Sequence, residues 1–236
     1  MPPVLSLVHR VRPSRSNPLG AGSSAPLLLL LHGIGSNEDD LFSLAPYLDE
    51  RFLIVSARAP LVIGPGAYAW FNIEFTARGL IADIAQAEQS RRLLVQFIEQ
   101  LIEAYRADAR SVYLMGFSQG AMMSLGVALT RPDKVAGVVA MSGRLPSEVI
   151  TEMPGREALR GMPILITHGI YDPLLPVEQG RAAREILEKL PVTLTYREYE
   201  MGHEVSLESL RDTSAWLSST LTAQTKAQAS DDTPMP

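Results

Sequence analysis

No cysteine occurs anywhere in the 236 residues. Disulfides, thiolate metal sites and a cysteine nucleophile are therefore excluded, while the redox environment stays open. Long apolar runs are missing too: the strongest, residues 27–31 with their neighbours, falls far below the ~18 residues of a membrane-spanning helix. There is no surplus of basic charge, since 21 Lys and Arg face 26 Asp and Glu, a net charge of -5. That balance gives no broad footprint for nucleic acid or anionic lipid. The first fifteen residues carry basic side chains but no continuous apolar stretch with a small-residue cleavage site, so the expected location is the cytoplasm. What remains is the composition of a globular protein, 46% hydrophobic and 20% charged, at a length α/β folds commonly occupy as one unit. We read a single domain over residues 1–221. Residues 222–236 lose helical periodicity, turn small and polar, and are expected to be a disordered tail.

Along the chain, apolar strand-like runs alternate with helical periodicity. Residues 4–11 read as an edge strand, 13–26 as a loop, 27–31 as a strand buried on both faces, and 52–56 as another apolar run. Glu38, Asp39 and Asp40 follow Ser36 and Asn37 as acidic residues would in the first turn of a capped helix running to about Tyr47. Residues 57–78 show no regular pattern, broken as they are by Pro60, Gly64, Pro65 and Gly66. Their Leu61, Val62, Ile63, Trp70 and Phe71 are nonetheless too apolar for a solvated linker, so they either plug the core or line a pocket. Residues 79–105 have a helical period, with Leu94, Phe97, Ile98, Leu101, Ile102 and Tyr105 on one face. Strands follow at 134–141, 163–167 and 192–199, with helices at 177–190 and 206–221. This alternation predicts a mostly parallel sheet with helices on both faces.

The chemistry centres on residues 111–126. An apolar run with β-formers, 112–115, meets a segment apolar on nearly every side, 121–129, through Gly116-Phe117-Ser118-Gln119-Gly120. In Gly-x-Ser-x-Gly the serine occupies a strained strand-to-helix corner, and the glycines are required because side chains there would crowd the turn. A second glycine-rich turn, His32-Gly33-Ile34-Gly35, does not suit a dinucleotide. Its third small position is Glu38, and the acidic trio would repel a pyrophosphate.

A nucleophilic serine needs a base, a carboxylate to hold that base in the right tautomer, and N–H donors for the oxyanion. Of the four histidines, only His203 follows the last strand. Asp172 lies just past the end of the 163–167 strand, where open α/β sheets bind ligands. The order Ser118, Asp172, His203 is the α/β-hydrolase order, which His32 and His168 do not fit. Backbone N–H groups of Ile34 and Gln119 are the candidate oxyanion donors.

The combination of Leu-His-Gly-Ile-Gly, Trp70-Phe71, Gly-Phe-Ser-Gln-Gly, His168-Gly-x-x-Asp172-Pro and Gly202-His203 resembles the phospholipase/carboxylesterase family of small α/β-hydrolases, which includes the acyl-protein thioesterases. The resemblance covers roughly residues 26–221. It implies an α/β-hydrolase fold without a large cap domain, no cofactor, and hydrolysis of carboxylic esters or thioesters through an acyl-serine; use of lysophospholipids stays open, and no metal is expected. It also implies roles for Ser118, Asp172 and His203 as a triad and for Ile34 and Gln119 as the oxyanion hole. Leu61, Val62, Ile63, Trp70 and Phe71 are then the expected substrate-binding residues. Two departures bear on substrate choice: Asn72 stands where relatives often carry an acid, and Glu38-Asp39-Asp40 looks closer to bacterial esterases than to eukaryotic thioesterases. The expected partner is a small-molecule ester; pairing as a homodimer stays open. A serine peptidase or a non-catalytic binding protein on the same fold are the alternatives.

Overall fold

The computed structural model of the chain describes residues 5–15, 24–76 and 79–231. Seven strands form the central sheet: β1 (His9–Arg12), β2 (Ala25–Leu31), β3 (Leu53–Ala57), β8 (Ala107–Phe117), β9 (Gly137–Met141), β10 (Pro163–Gly169) and β11 (Thr193–Tyr199). Their spatial order is β1-β3-β2-β8-β9-β10-β11. Only the edge pair β1–β3 is antiparallel; every other neighbour is parallel. The chain builds outward from β2 in one direction and then, from β8, in the other. The crevice at the carboxyl ends of β2 and β8 is therefore the switch point where an α/β sheet binds ligands.

The leucine run of β2 is central and fully buried. Leu27, Leu29 and Leu31 face one core with Leu94, Phe97, Ile98 and Leu101 of α2 (Ile84–Tyr105) and Leu125 and Leu129 of α3 (Gln119–Thr130). Leu28 and Leu30 face the other, with Leu41 of α1 (Glu38–Phe42) and Leu210, Leu217 and Leu221 of α6 (Leu207–Asp231). Period-two alternation thus divides one apolar run between two cores. Two further helices, α4 (Ser147–Thr151) and α5 (Val177–Leu187), complete the cover.

Three expectations are corrected. The apparently irregular stretch after β3 holds two hairpins, β4 (Leu61–Gly64) with β5 (Ala67–Ala69), and β6 (Ile73–Thr76) with β7 (Gly79–Ala82). Pro65 and Gly66, read as breakers, form the first hairpin's turn, with Gly66 at φ +70 where a side chain would be strained. Residues 79–82 belong to a strand, so α2 begins only at Ile84, capped by Asp83 accepting from the Gln86 N–H. Finally, α6 does not stop at Leu221 but continues to Asp231. Distant partners hold the extension: Arg51 donates to Thr222 Oγ1, and Gln224 bonds the Tyr113 hydroxyl and the Arg110 carbonyl. Among the described residues no inserted cap domain is present, and no helix is long and apolar enough to cross a membrane.

Candidate active site

Ser118 sits between the end of β8 and the start of α3 at φ 53, ψ -114, outside the regions an L-residue normally occupies. Its neighbours explain how the chain sustains that strain. A Cβ on Gly116 would lie 2.2 Å from the Gly120 carbonyl oxygen, and one on Gly120 would lie 1.9 Å from the Leu31 carbonyl oxygen. Both contacts are with backbone, so only glycine lets β2, β8 and α3 converge this closely. Ser118 N–H is tied to Met141 O of β9 at 2.8 Å.

His203, in the turn between β11 and α6, places Nε2 2.9 Å from Ser118 Oγ and Nδ1 2.7 Å from Asp172 Oδ2. Ionised Asp172 can only accept, which puts the imidazole proton on Nδ1 and leaves the Nε2 lone pair to accept from the serine hydroxyl. Asp172 is completely buried as a side chain, and its other oxygen accepts from the Leu174 and Leu175 N–H groups at 2.9 and 2.8 Å. The Phe117 ring, 4.8 Å from the imidazole centroid, covers His203. Three strand ends thus deliver three side chains to one hydrogen-bonded series. The remaining histidines have other partners. Buried His168 bonds Leu175 O at 2.8 Å and so pins the Asp172 turn. His9 bonds Tyr105.

His32 holds the turn after β2 together. Its Nδ1–H donates to Gly33 O at 2.7 Å and its Nε2 accepts from the Ala59 N–H at 3.0 Å, an arrangement open only to the neutral ring. Burial pushes the His32 pKa below its usual value. Gly33 brings this turn to within van der Waals reach of Ser118 Cβ, since a Cβ there would sit 3.4 Å from it. Ile34 lines the cavity beside Ser118, and Gln119 is the first residue of α3, where backbone N–H groups lack intrahelical acceptors. The acidic trio beyond has separate work: Asn37 caps α1, Ser36 bonds Asp40, Arg10 pairs with Asp39, and Glu38 is buried in a two-point pair with Arg58. That pairing holds the Glu38 carboxyl below the usual range.

Beside Ser118 lies a cavity of about 130 Å³ lined by Gly33, Ile34, Ile73, Phe117, Met122, Leu174, Leu175 and His203. None of the five expected substrate contacts lines it. Leu61, Val62 and Ile63 belong to β4, with Val62 and Ile63 exposed, while Trp70 and Phe71 are core residues. For residues 61–63 the reason is the pairing of β4 with β5; for Trp70 it is core packing, with the indole N–H satisfied by the buried His32 carbonyl at 3.0 Å. Met122 and Phe117 were legible as near neighbours of Ser118, one helical turn on and one residue back. Leu174 and Leu175 follow the Asp-Pro turn directly. Ile73 carries no sequence signal, because the strands of the β6–β7 hairpin that brings it there are only four residues long. Among the described residues no three His, Asp or Glu side chains are grouped to hold a metal ion.

Residues 20–221 match the family model for phospholipases and carboxylesterases. The chain belongs to that family. An acyl-protein thioesterase 1 from Kluyveromyces lactis is 29% identical over 83% of this chain and 92% of its own. A probable carboxylesterase, SOBER1-like, from Arabidopsis thaliana is 30% identical over 80% of this chain and 77% of its own. Among solved structures, esterase PE8 superposes with a TM-score of 0.77 at 27% identity, covering 91% of this chain and 99% of that one. The phospholipase/carboxylesterase family and these esterase neighbours bring the α/β-hydrolase fold, in keeping with the mostly parallel sheet and its two helical layers.

Proposed function

We propose that this chain is a serine hydrolase that cleaves small, neutral carboxylic esters through an acyl-Ser118 intermediate. The observation that carries the reading is the unbroken series Asp172–His203–Ser118, with hydrogen bonds of 2.7 and 2.9 Å. Ser118 Oγ attacks the ester carbonyl as its proton passes to His203 Nε2, and Asp172 stabilises the imidazolium through Nδ1–H. The carbonyl oxygen becomes an oxyanion, received by the N–H groups of Gln119 and Ile34. When the carbon–oxygen bond breaks, His203 returns the proton to the leaving alkoxide. Water then attacks the acyl-enzyme with His203 again as base, releasing the acid and restoring Ser118.

Substrate size follows from the cavity. A dry apolar cavity of ~150 Å³ holds about one benzene ring, so 130 Å³ holds about six acyl carbons beside Ser118. Apart from His203 its lining offers no ionisable side chain, which favours a neutral acyl group. Steady-state hydrolysis of p-nitrophenyl acetate, butyrate and hexanoate by wild type and Ser118→Ala tests the reading. Loss of about four to six decades in the variant is expected; wild-type turnover by purified Ser118→Ala rejects it.

A further inference from the structure

The two oxyanion donors of the serine-hydrolase reading come from separate pieces of chain, the first residue of α3 and the turn after β2. Nothing covalent sets the distance between them. An oxyanion needs its donors at roughly 2.7–3.1 Å, so some other contact must hold the two pieces in register. Beyond the pairing of β2 with β8 and the close packing of Gly120 on Leu31, the Gln119 side chain supplies one that reaches the turn itself. It is fully buried, and its Oε1 accepts from the Trp70 N–H at 2.8 Å while its Nε2 donates to Phe71 O at 2.6 Å.

The same short segment is fastened to the turn on its other side. Trp70 Nε1–H donates to His32 O at 3.0 Å, Gly35 N–H donates to Tyr68 O at 2.8 Å, and Tyr68 N–H donates to Ser36 O at 2.9 Å. Ser90 Oγ then anchors the segment to α2 by donating to Trp70 O at 2.5 Å. A core need for bulk at position 119 would be met at lower cost by methionine, since a buried amide is unfavourable unless both its ends are bonded. Only glutamine has the reach with one acceptor and one donor. Glutamate lacks the donor, and asparagine is one carbon short.

We propose that the Gln119 side chain is a positioning residue, linked through residues 68–71 to the turn at Gly33–Ile34, that fixes the two oxyanion donors against each other; this rests on the serine-hydrolase reading above. Removing the link leaves both N–H groups present but lets their spacing relax, so the transition state loses more than the bound ester does.

The test compares wild type with Gln119→Met and Trp70→Phe, which keeps a large ring but cannot donate to His32 O. Four quantities are read: kcat and KM on p-nitrophenyl butyrate, inhibition by a short trifluoromethyl ketone whose serine adduct carries an oxyanion, labelling of Ser118 by a fluorophosphonate, and the melting temperature. For Gln119→Met we expect kcat to fall about ten- to a hundredfold with KM within about threefold. The ketone should weaken in proportion to kcat/KM, and Ser118 should still be labelled. Trp70→Phe should show the same pattern at about three- to tenfold, and the double variant should lose less than the product of the two. A Gln119→Met protein with kcat per labelled site and ketone affinity within about twofold of wild type, whatever its melting temperature, overturns the proposal. If Gln119→Met does not fold, Gln119→Glu and Trp70→Phe are judged by the same criteria. A wild type that neither hydrolyses esters nor labels at Ser118 removes the underlying reading, and with it this one, a result no Gln119 variant can mimic.

Discussion

Replacing Gly120 by alanine sets two physical effects against each other. In a helix interior the change from glycine to alanine usually stabilises by about 0.5–1 kcal/mol, because alanine loses less backbone freedom on folding. Here the added Cβ would stand 1.9 Å from the Leu31 carbonyl oxygen, about 1.5 Å inside the 3.4 Å at which ordinary contact begins. The obstacle is backbone of β2, which is paired on both sides by β3 and β8 and has no flexible end to swing away. Either α3 or β2 must move by about an ångström. Overpacking of even a flexible core costs roughly 1–3 kcal/mol, so a net loss of at least about 3 kcal/mol is expected, and sterics win over propensity. Ser118 lies two residues away, and a displacement near 1 Å should cost about a hundredfold in kcat in whatever still folds. Urea denaturation gives the stability change, and turnover per fluorophosphonate-labelled site gives the catalytic one. Gly202→Ala is the control, since a Cβ there meets nothing within 4 Å although it adjoins His203. Should Gly120→Ala match wild type in both stability and turnover, the account of the strained corner is wrong.

Asp172→Asn should fold normally and lose about three to four decades in kcat, because the amide favours the wrong imidazole tautomer; full activity would point to another acid. Glu178, the next acid along the chain after Asp172, is exposed on α5. His32 makes stability pH-dependent: its folded-state pKa is depressed by burial, so stability is highest above its usual value near 6.5 and falls as pH drops through and below it. The slope contributed by this one proton is at most about 1.4 kcal/mol per pH unit, and His32→Gln should flatten the urea midpoint between pH 6.5 and 5 if the assignment holds. Trp70→Ala should cost on the order of 3–5 kcal/mol as a core deletion, with the relative preference among acyl chain lengths unchanged. Met122→Ala should instead shift that preference toward longer chains; identical chain-length profiles for wild type and Met122→Ala would reject the cavity as the acyl site.

How much could be read in advance depended on how local each signal was. The leucines of β2, the apolar stripe of α2 and the Gly-Phe-Ser-Gln-Gly corner carry their structure in adjacent residues, and their elements were legible with boundaries off by a few positions. Chain order, together with places just past strand ends, singles out Asp172 and His203; the structure sets His203 between the other two, hydrogen-bonded to Asp172 on one side and to Ser118 on the other. The hairpins after β3 were missed because their strands are only three or four residues long, too short for a period to register. The extension of α6 was missed because its anchors, Arg51, Tyr113 and the Arg110 carbonyl, lie over a hundred positions away in the chain. Of the cavity lining, Met122 and Leu174 lie close in the chain to Ser118 and Asp172, whereas Ile73 joins them only once the β6–β7 hairpin forms. Trp70 is legible as apolar and important, yet its place in the core rests on partners distant in the chain: the Gln119 amide, Ser90 and the His32 carbonyl.

The central claim is that Ser118 becomes acylated by the ester and is freed again by water. Mixing the wild-type protein with p-nitrophenyl butyrate, quenching in acid within the first turnovers and mapping the adduct by peptide mass spectrometry tests it directly. The expected result is a butyryl group on the peptide carrying Ser118, accumulating in His203→Ala only at a rate several decades slower. A protein that releases p-nitrophenol at full rate with no adduct on Ser118, or with the acyl group on another residue, contradicts it.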